Sequence, residues 1–195
     1  MAHSDALHFL RAFVLNPGRV GAVVPSSPAL ARAMVQGLSL APGEAVLEYG
    51  PGTGPFTTQI ARVLPGPEHY LGIERDRRFV TLLRARHPHL HFVEGSAEDA
   101  PQLAAKAGLR TIAAVISGLP FATLPDAVQQ GILAGLDQVV APGRLFRTFQ
   151  YVHAYQLPQA VRFRRRMGQL FGPHQRSTVI WANLPPAFVL TWRRK

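Results

Sequence analysis

The stretch Ala45-Val-Leu-Glu48-Tyr49-Gly50-Pro51-Gly52-Thr53-Gly54 decides how this chain folds. Its first five residues are apolar or aromatic except for Glu48, the pattern of a short buried strand. Three glycines at alternate positions then turn the chain, and Phe56 to Leu64 has helical spacing. Glycines let the backbone pass close to a ligand, and the start of the helix presents unpaired N–H groups. The spacing is G-x-G-x-G, one residue shorter than the G-x-G-x-x-G of dinucleotide sites, whose helix amides face a pyrophosphate. Glu48, just ahead of the turn, would repel phosphates and suits a cationic amino-acid tail.

Pro65-Gly66-Pro67 breaks the chain before a second strand, His69 to Ile73. That strand ends in Glu74, 20 residues beyond Gly54, where a carboxylate can accept from both hydroxyls of a ribose. Phe79 to Arg86 reads as a helix, Leu90 to Val93 as a third strand, Thr111 to Ser117 as a fourth, Asp126 to Val140 as a helix and Arg144 to Gln150 as a fifth strand. Thr178 to Trp181 and Phe188 to Trp192 are β-like and flank Asn183-Leu-Pro-Pro186, read as the turn of an antiparallel hairpin. The alternation predicts an α/β domain with a mainly parallel sheet over residues 44–195. Residues 1–43 read as a helical extension. Within it, Asp5 caps an amphipathic helix carrying Ala6, Leu7, Phe9, Leu10, Phe13 and Val14, and Ser27-Pro28 starts a second helix.

At 195 residues with 47% hydrophobic and 16% charged side chains, the chain is one folded domain rather than a disordered or coiled-coil segment. The absence of cysteine excludes disulfides, thiolate nucleophiles and cysteine-ligated metals. Net charge is +10, and all of the excess lies after Asp137: from Arg144 to Lys195 there are ten basic residues and no acid, while the other 143 residues balance. Such asymmetry implies a polyanionic partner, nucleic acid or an anionic membrane surface. Within that quarter, Ala160 to Phe171 predicts an interfacial helix, with Phe163, Met167, Leu170 and Phe171 on one face and Arg162, Arg164, Arg165 and Arg166 over the rest. No uncharged run reaches the roughly 18 apolar residues of a spanning helix. Met1 to Arg11 does not read as an export signal, so the expectation is a cytoplasmic protein that meets the inner face of the membrane peripherally.

The glycine turn with Glu48 before it and Gly-Ile-Glu74 after it resembles the class I S-adenosylmethionine-dependent methyltransferases. The resemblance implies a Rossmann-like sheet of seven strands in the order 3-2-1-4-5-7-6, with S-adenosylmethionine as cofactor and S-adenosylhomocysteine as product. It implies cofactor contacts from Glu48, Tyr49, Gly50, Gly52 and Gly54, from Glu74 and Arg75, from Ser96, Ala97 and Glu98, and from Ser117. Many relatives carry Gly-Asp-Ala at the exit of the third strand, the Asp receiving the adenine amino group. Here Ser96 stands in that place, and either Ser96 or Glu98 supplies the contact.

The chain is similar to one narrower family, the soluble bacterial phosphatidylethanolamine N-methyltransferases of the Rhodobacter and Agrobacterium type. Three stretches carry the likeness: Val20-Gly-Ala-Val-Val-Pro25-Ser-Ser-Pro28-Ala-Leu-Ala-Arg32, Ser117-Gly-Leu-Pro120, and Asn183-Leu-Pro-Pro-Ala187. This resemblance implies stepwise methylation of phosphatidylethanolamine to phosphatidylcholine. Adenine N6-methyltransferases usually carry Asn/Asp-Pro/Leu-Pro-Tyr/Phe after the fourth strand; Ser117-Gly118-Leu119-Pro120-Phe121 departs from that, which leaves RNA adenine methylation as the alternative. In the lipid reading Gly118, Leu119, Pro120, Phe121, Tyr151 and Tyr155 face the substrate. Tyr151 and His153 are the candidate catalytic residues, His153 as proton acceptor and the rings as cation–π partners of a methylated ammonium. Methyl transfer needs no metal. The expected partners are a phospholipid substrate and an anionic membrane, with no stable nucleic acid, and the expected state is a monomer.

Overall fold

Every residue of Glu44–Tyr49 (β1) is buried, as a central parallel strand covered on both faces requires. In the computed structural model, which describes residues 26–195, it pairs in parallel with Tyr70–Glu74 (β2) on one side and Thr111–Ser117 (β4) on the other. Phe92–Glu94 (β3) adds beyond β2, and Leu145–Tyr151 (β5) beyond β4, both parallel. Ala187–Arg193 (β7) then runs antiparallel to β5, with Tyr151 opposite Ala187, and Gln175–Arg176 (β6) closes the edge. The order is therefore 3-2-1-4-5-7-6, as the resemblance implied.

Pro28–Val35 (α1), Pro55–Ile60 (α2) and Arg77–Arg86 (α3) cover one face; Ala100–Lys106 (α4), Asp126–Val139 (α5) and Pro158–Phe171 (α6) cover the other. The Ser27 hydroxyl caps α1 by accepting from the Leu30 amide at 3.2 Å. The far end of α1 is held by Arg147, whose Nη1 donates to the Met34 and Gln36 carbonyls at 3.0 and 2.9 Å. The expected helix at Asp5 and the stretch Val20 to Pro25 lie outside the described residues.

Three expectations are corrected. Thr178 to Trp181 is not a strand: the hydrogen-bonded partner of β7 is the two-residue β6, and only Ile180 bridges to Ala187. Val179 and Ile180 are instead spent packing onto the cores of the two opposite faces. Helix α4 is an element the sequence pattern does not predict, because its small apolar residues are a weak periodic signal. The third correction bears on function. Phe163, Met167 and Phe171 of α6 are core residues, fully or almost fully buried. Phe163 stacks on Phe121 at 4.0 Å and meets Trp192 edge-on at 5.8 Å. Three of the four residues of the stripe read as a membrane face are therefore covered by the protein's own core, and only Leu170 is exposed.

The basic excess is also partly architectural. Arg144 pairs with Glu44, Arg166 and Arg162 with Asp126 at 2.8 and 3.8 Å, and Arg194 with Asp137 at 2.8 Å. These cations neutralise acids from earlier in the chain, so the charge asymmetry along the sequence is partly erased in space.

Candidate active site

The carboxyl ends of β1, β3 and β4 each exit through a glycine, and backbone hydrogen bonds join these exits to the neighbouring strands. Gly50 donates to Ile73 at 2.9 Å, Gly95 to Glu74 at 3.0 Å and Gly118 to Tyr49 at 2.7 Å. Gly118 lies against the glycine turn itself, since a Cβ there would stand 2.5 Å from the Gly50 carbonyl oxygen. That contact explains the glycine inserted before Leu119-Pro120. Gly50 and Gly52 have φ of 62° and 59°, and nothing lies within 4 Å of the point where a Gly52 side chain would begin. The turn therefore presents open backbone at Gly52, while Gly50 is lined by Leu119, whose Cδ2 would stand 2.6 Å from a Cβ there.

Glu74 frames this space. Its Oε2 accepts from the Gly52 amide and its Oε1 from the Asp76 amide, each at 2.9 Å, so the carboxylate is fixed at the mouth of the turn. Glu48 is fully buried beneath it. One oxygen, Oε2, accepts from Tyr70 at 2.6 Å and Thr57 at 2.7 Å, while Oε1 has no partner among the described residues. Burial pushes this carboxyl up to about 7, the charge of Glu74 adds to the rise, and the Tyr70 and Thr57 hydrogen bonds oppose it. A buried, half-satisfied acid of this kind suits a cation brought in with a ligand.

At the next exit Ser96 caps a 3-10 turn, Ala97–Asp99, accepting from the Glu98 amide at 3.3 Å and donating to Glu98 Oε2 at 3.0 Å. The Glu98 carboxylate lies over Gly131 of α5, where a Cβ would come within 2.3 Å of it. Ala97 is buried beside them, and Arg75 is exposed beyond Glu74. Ser117 is buried, its hydroxyl accepting from the Leu119 amide at 3.2 Å and its carbonyl from Thr148 at 3.1 Å, which shapes the loop toward the exposed Pro120. Gly54 starts α2, and the Tyr49 ring is buried on the opposite face from Glu48.

The structure gathers only part of the expected substrate set. Tyr151 packs edge-on to Phe149 at 5.3 Å and stacks with the exposed His153 at 5.6 Å. Partial burial lowers the His153 pKa and raises that of Tyr151, so at neutral pH His153 has a free lone pair and Tyr151 keeps its proton. Phe121, expected to face substrate, is instead a core residue, stacked on Phe163, with its carbonyl held by Gln129 at 2.8 Å. Tyr155 packs into the core of the opposite face from Tyr151, and its ring is covered by the Arg164 guanidinium at 3.7 Å. The direction of the chain after β5, through the 3-10 turn Val152–Ala154, separates the two tyrosines.

Comparison with known proteins accords with this arrangement. Residues 46–143 match the model of a methyltransferase domain. The chain is 32% identical over 145 residues to an ornithine lipid N-methyltransferase of Singulisphaera acidiphila, covering 73% of this chain and 76% of that protein. A ribosomal RNA small subunit methyltransferase A of Prosthecochloris aestuarii is 35% identical over 63 residues, which is 32% of this chain and 23% of that protein. Among solved structures, a geranyl diphosphate methyltransferase in complex with S-adenosylmethionine superposes with a TM-score of 0.62 at 12% identity, over 86% of this chain and 85% of that one. The chain belongs to the class I S-adenosylmethionine-dependent methyltransferases. Its cofactor is S-adenosylmethionine, and the open turn, the orphan Glu48 oxygen and the fixed Glu74 carboxylate fit that molecule.

In this methyltransferase Tyr70 and Thr57 join the site unexpectedly, and Gly72 of the Gly-Ile-Glu74 motif makes room for one of them. Glu48 pairs with Gly72 in register, and a Cβ on Gly72 would stand 2.6 Å from the Tyr70 hydroxyl. The missing side chain lets Tyr70 reach across β2 to Glu48. The signal was present: a buried acid in a strand demands donors, and Tyr70-x-Gly72 lies on the same face of the adjacent strand.

Proposed function

We propose that this methyltransferase acts on the amine of a membrane lipid headgroup, phosphatidylethanolamine, adding methyl groups stepwise. The observation that carries this reading is the similarity to the ornithine lipid N-methyltransferase along about three quarters of both chains, against about a third of this chain for the ribosomal RNA enzyme. In this reading Glu74 accepts from the ribose hydroxyls of the cofactor, Glu48 Oε1 receives its ammonium, the backbone at Gly50 and Gly52 lies along it, and Ser96 or Glu98 meets the adenine. S-adenosylmethionine supplies an electrophilic methyl group on a sulfonium. The protein must then present a neutral amine in line and exclude water. Ser117-Gly118-Leu119-Pro120 borders that point, His153 takes the ammonium proton, and the Tyr151 ring holds the cation that forms as methyls accumulate. Phe121 and Tyr155 support this arrangement from the core.

The lipid surface meets the protein through a loop in place of α6. The connection from β6 to β7 returns at the carboxyl end of β5, beside the glycine exits. There Trp181 is 75% exposed and Leu184 64% exposed, whereas Asn183 between them is buried, accepting from the Ser27 amide at 2.8 Å and donating to the Pro185 carbonyl at 2.7 Å. An anchored loop that holds two large apolar side chains in water beside the active site suits insertion into a bilayer interface. The test is radiolabelled S-adenosylmethionine offered with phosphatidylethanolamine vesicles, with ornithine lipid vesicles and with undermethylated ribosomal RNA. Label in phosphatidylethanolamine is the expected result. Label in ornithine lipid alone would replace the substrate within the lipid class, and label in RNA alone would overturn the lipid reading.

A further inference from the structure

The arginines of α6 meet different partners. Arg162 and Arg166 share Asp126, and Arg165 is exposed. Arg164 points to the sheet, where Nη1 donates to Gln150 Oε1 at 2.6 Å and to the Tyr155 carbonyl at 2.7 Å, both neutral acceptors. Its Cζ stands 3.7 Å over the Tyr155 ring. Arg176 of β6 approaches that ring at 5.2 Å and Phe188 at 4.6 Å. His174 completes the group, with Nε2 3.4 Å from the Tyr155 hydroxyl.

Three basic side chains are thus held around one tyrosine, and among the described residues neither Arg164 nor Arg176 has a carboxylate partner. Burial lowers the His174 pKa, and the charges of Arg164 and Arg176 lower it further. A fold gains nothing by itself from collecting like charges; Arg162 and Arg166 of the same helix are neutralised by Asp126, whereas Arg164 and Arg176 meet only neutral and aromatic groups. Two guanidiniums with donors to spare, planted on aromatic rings, are the usual means of holding an oxyanion.

The position supplies the ligand class. Gln150 lies two residues past Thr148, the register partner of Ser117, so roughly 7 Å further along the strand and one strand over from the substrate loop. Phe188 faces Gln150 across the β5–β7 pair. Arg176 stands at the same level on the edge strand, in register with Leu190 and through it with Thr148 and Ser117, and its guanidinium reaches back to Phe188 and Tyr155 on the α5 and α6 face, the face opposite Tyr151. We infer that Arg164 and Arg176 form an oxyanion subsite that takes the acidic group accompanying the amine of a zwitterionic lipid headgroup, phosphodiester or carboxylate. The inference rests on the lipid reading above. It makes the subsite a specificity device: it registers an amine that has an anion a few bonds away and orients that amine toward the loop at Ser117.

The test uses the full chain and the variants Arg176→Gln, Arg164→Lys and, as a surface-charge control, Arg165→Gln. Calorimetry with glycerophosphoethanolamine, and separately with inorganic phosphate, reads the subsite without turnover. Kinetics on phosphatidylethanolamine and on ornithine lipid in mixed micelles distinguish phosphodiester from carboxylate. Arg176→Gln is expected to weaken glycerophosphoethanolamine binding and raise the lipid KM by about ten- to a hundredfold, with a smaller fall in kcat and cofactor affinity unchanged. Arg164→Lys keeps the charge but loses the fork, and falls between. Equal effects of Arg176→Gln and Arg165→Gln, or no change in headgroup binding and KM, would overturn the subsite. Phosphate binding without headgroup binding would also overturn it, as a free-anion site. A wild-type enzyme that binds glycerophosphoethanolamine through Arg176 yet methylates neither lipid would overturn the functional reading and leave the subsite standing.

Discussion

The two halves of the sheet carry opposite charge at the same end. On the β1–β2 side, Glu48 and Glu74 are buried at the glycine turn, one of them with an orphan oxygen. On the β5–β7 side, Arg164 and Arg176 surround Tyr155 without an acid among the described residues. The first half suits a ligand with a cationic tail, and the second an anionic group. The loop at Ser117 lies between them, where a sulfonium and an amine would meet. Of the ten late cations, Arg144, Arg162, Arg166 and Arg194 neutralise Glu44, Asp126 and Asp137, Arg147 and Arg193 hold backbone carbonyls, and Arg164 and Arg176 gather at Tyr155.

The contact that joins the halves is the place to break this arrangement most severely. Gly118→Ala drives a Cβ into the Gly50 carbonyl, and a stability loss of about 2–3 kcal/mol is expected, read as a fall in Tm together with loss of activity. Unaltered Tm and activity would show that the two loops separate freely. Next in size is His153→Gln, expected to lower kcat at neutral pH by about two or more orders of magnitude with cofactor binding intact; an unchanged kcat would pass the proton to water. Glu74→Ala tests the acidic half alone. It is expected to weaken S-adenosylmethionine binding about a hundredfold while binding of glycerophosphoethanolamine persists, as measured by calorimetry.

Replacing Trp181 and Leu184 with Ser is expected to reduce vesicle sedimentation roughly tenfold, from the apolar surface removed, without changing Tm. Unchanged sedimentation would return membrane contact to another surface. The smallest effect comes from Glu48. Its folded pKa, about 7, lies above the usual carboxyl value, so the neutral acid is favoured in the free enzyme. That contribution to stability is full at acid pH and is lost as pH rises through about 7. A cationic ligand reverses the preference. Cofactor affinity should therefore increase with pH and level off above 7, being about tenfold weaker one unit below it. Glu48→Gln should flatten this profile, and a profile that stays pH-dependent in the variant would assign the titration to another group.

Much of the acidic half was legible in the sequence because it is local. A strand, a glycine turn and a helix follow one another within about twenty residues, and Glu48, Glu74 and their spacing are properties of a contiguous segment. Tyr70 and Thr57 escaped because they act through register, which places residues 22 and 9 positions away against one carboxylate. The basic half was harder to read for a physical reason. An amphipathic stripe such as Phe163, Met167 and Phe171 looks the same whether a bilayer or a protein core covers it. Phe121, Phe146 and Trp192, brought from three distant strands and loops, decide that here.

By itself the sequence determined the α/β class, the glycine turn with its two acids, the class of cofactor implied by that pattern and the lopsided charge, since hydrophobic period, turn chemistry and composition are local. Only the tertiary structure decided which arginines are neutralised and which gather around Tyr155, that Tyr151 and Tyr155 stand on opposite faces, and that Trp181, among the described residues, is a large aromatic left in water. Those outcomes depend on which surfaces meet, and burial is a property of the packed chain.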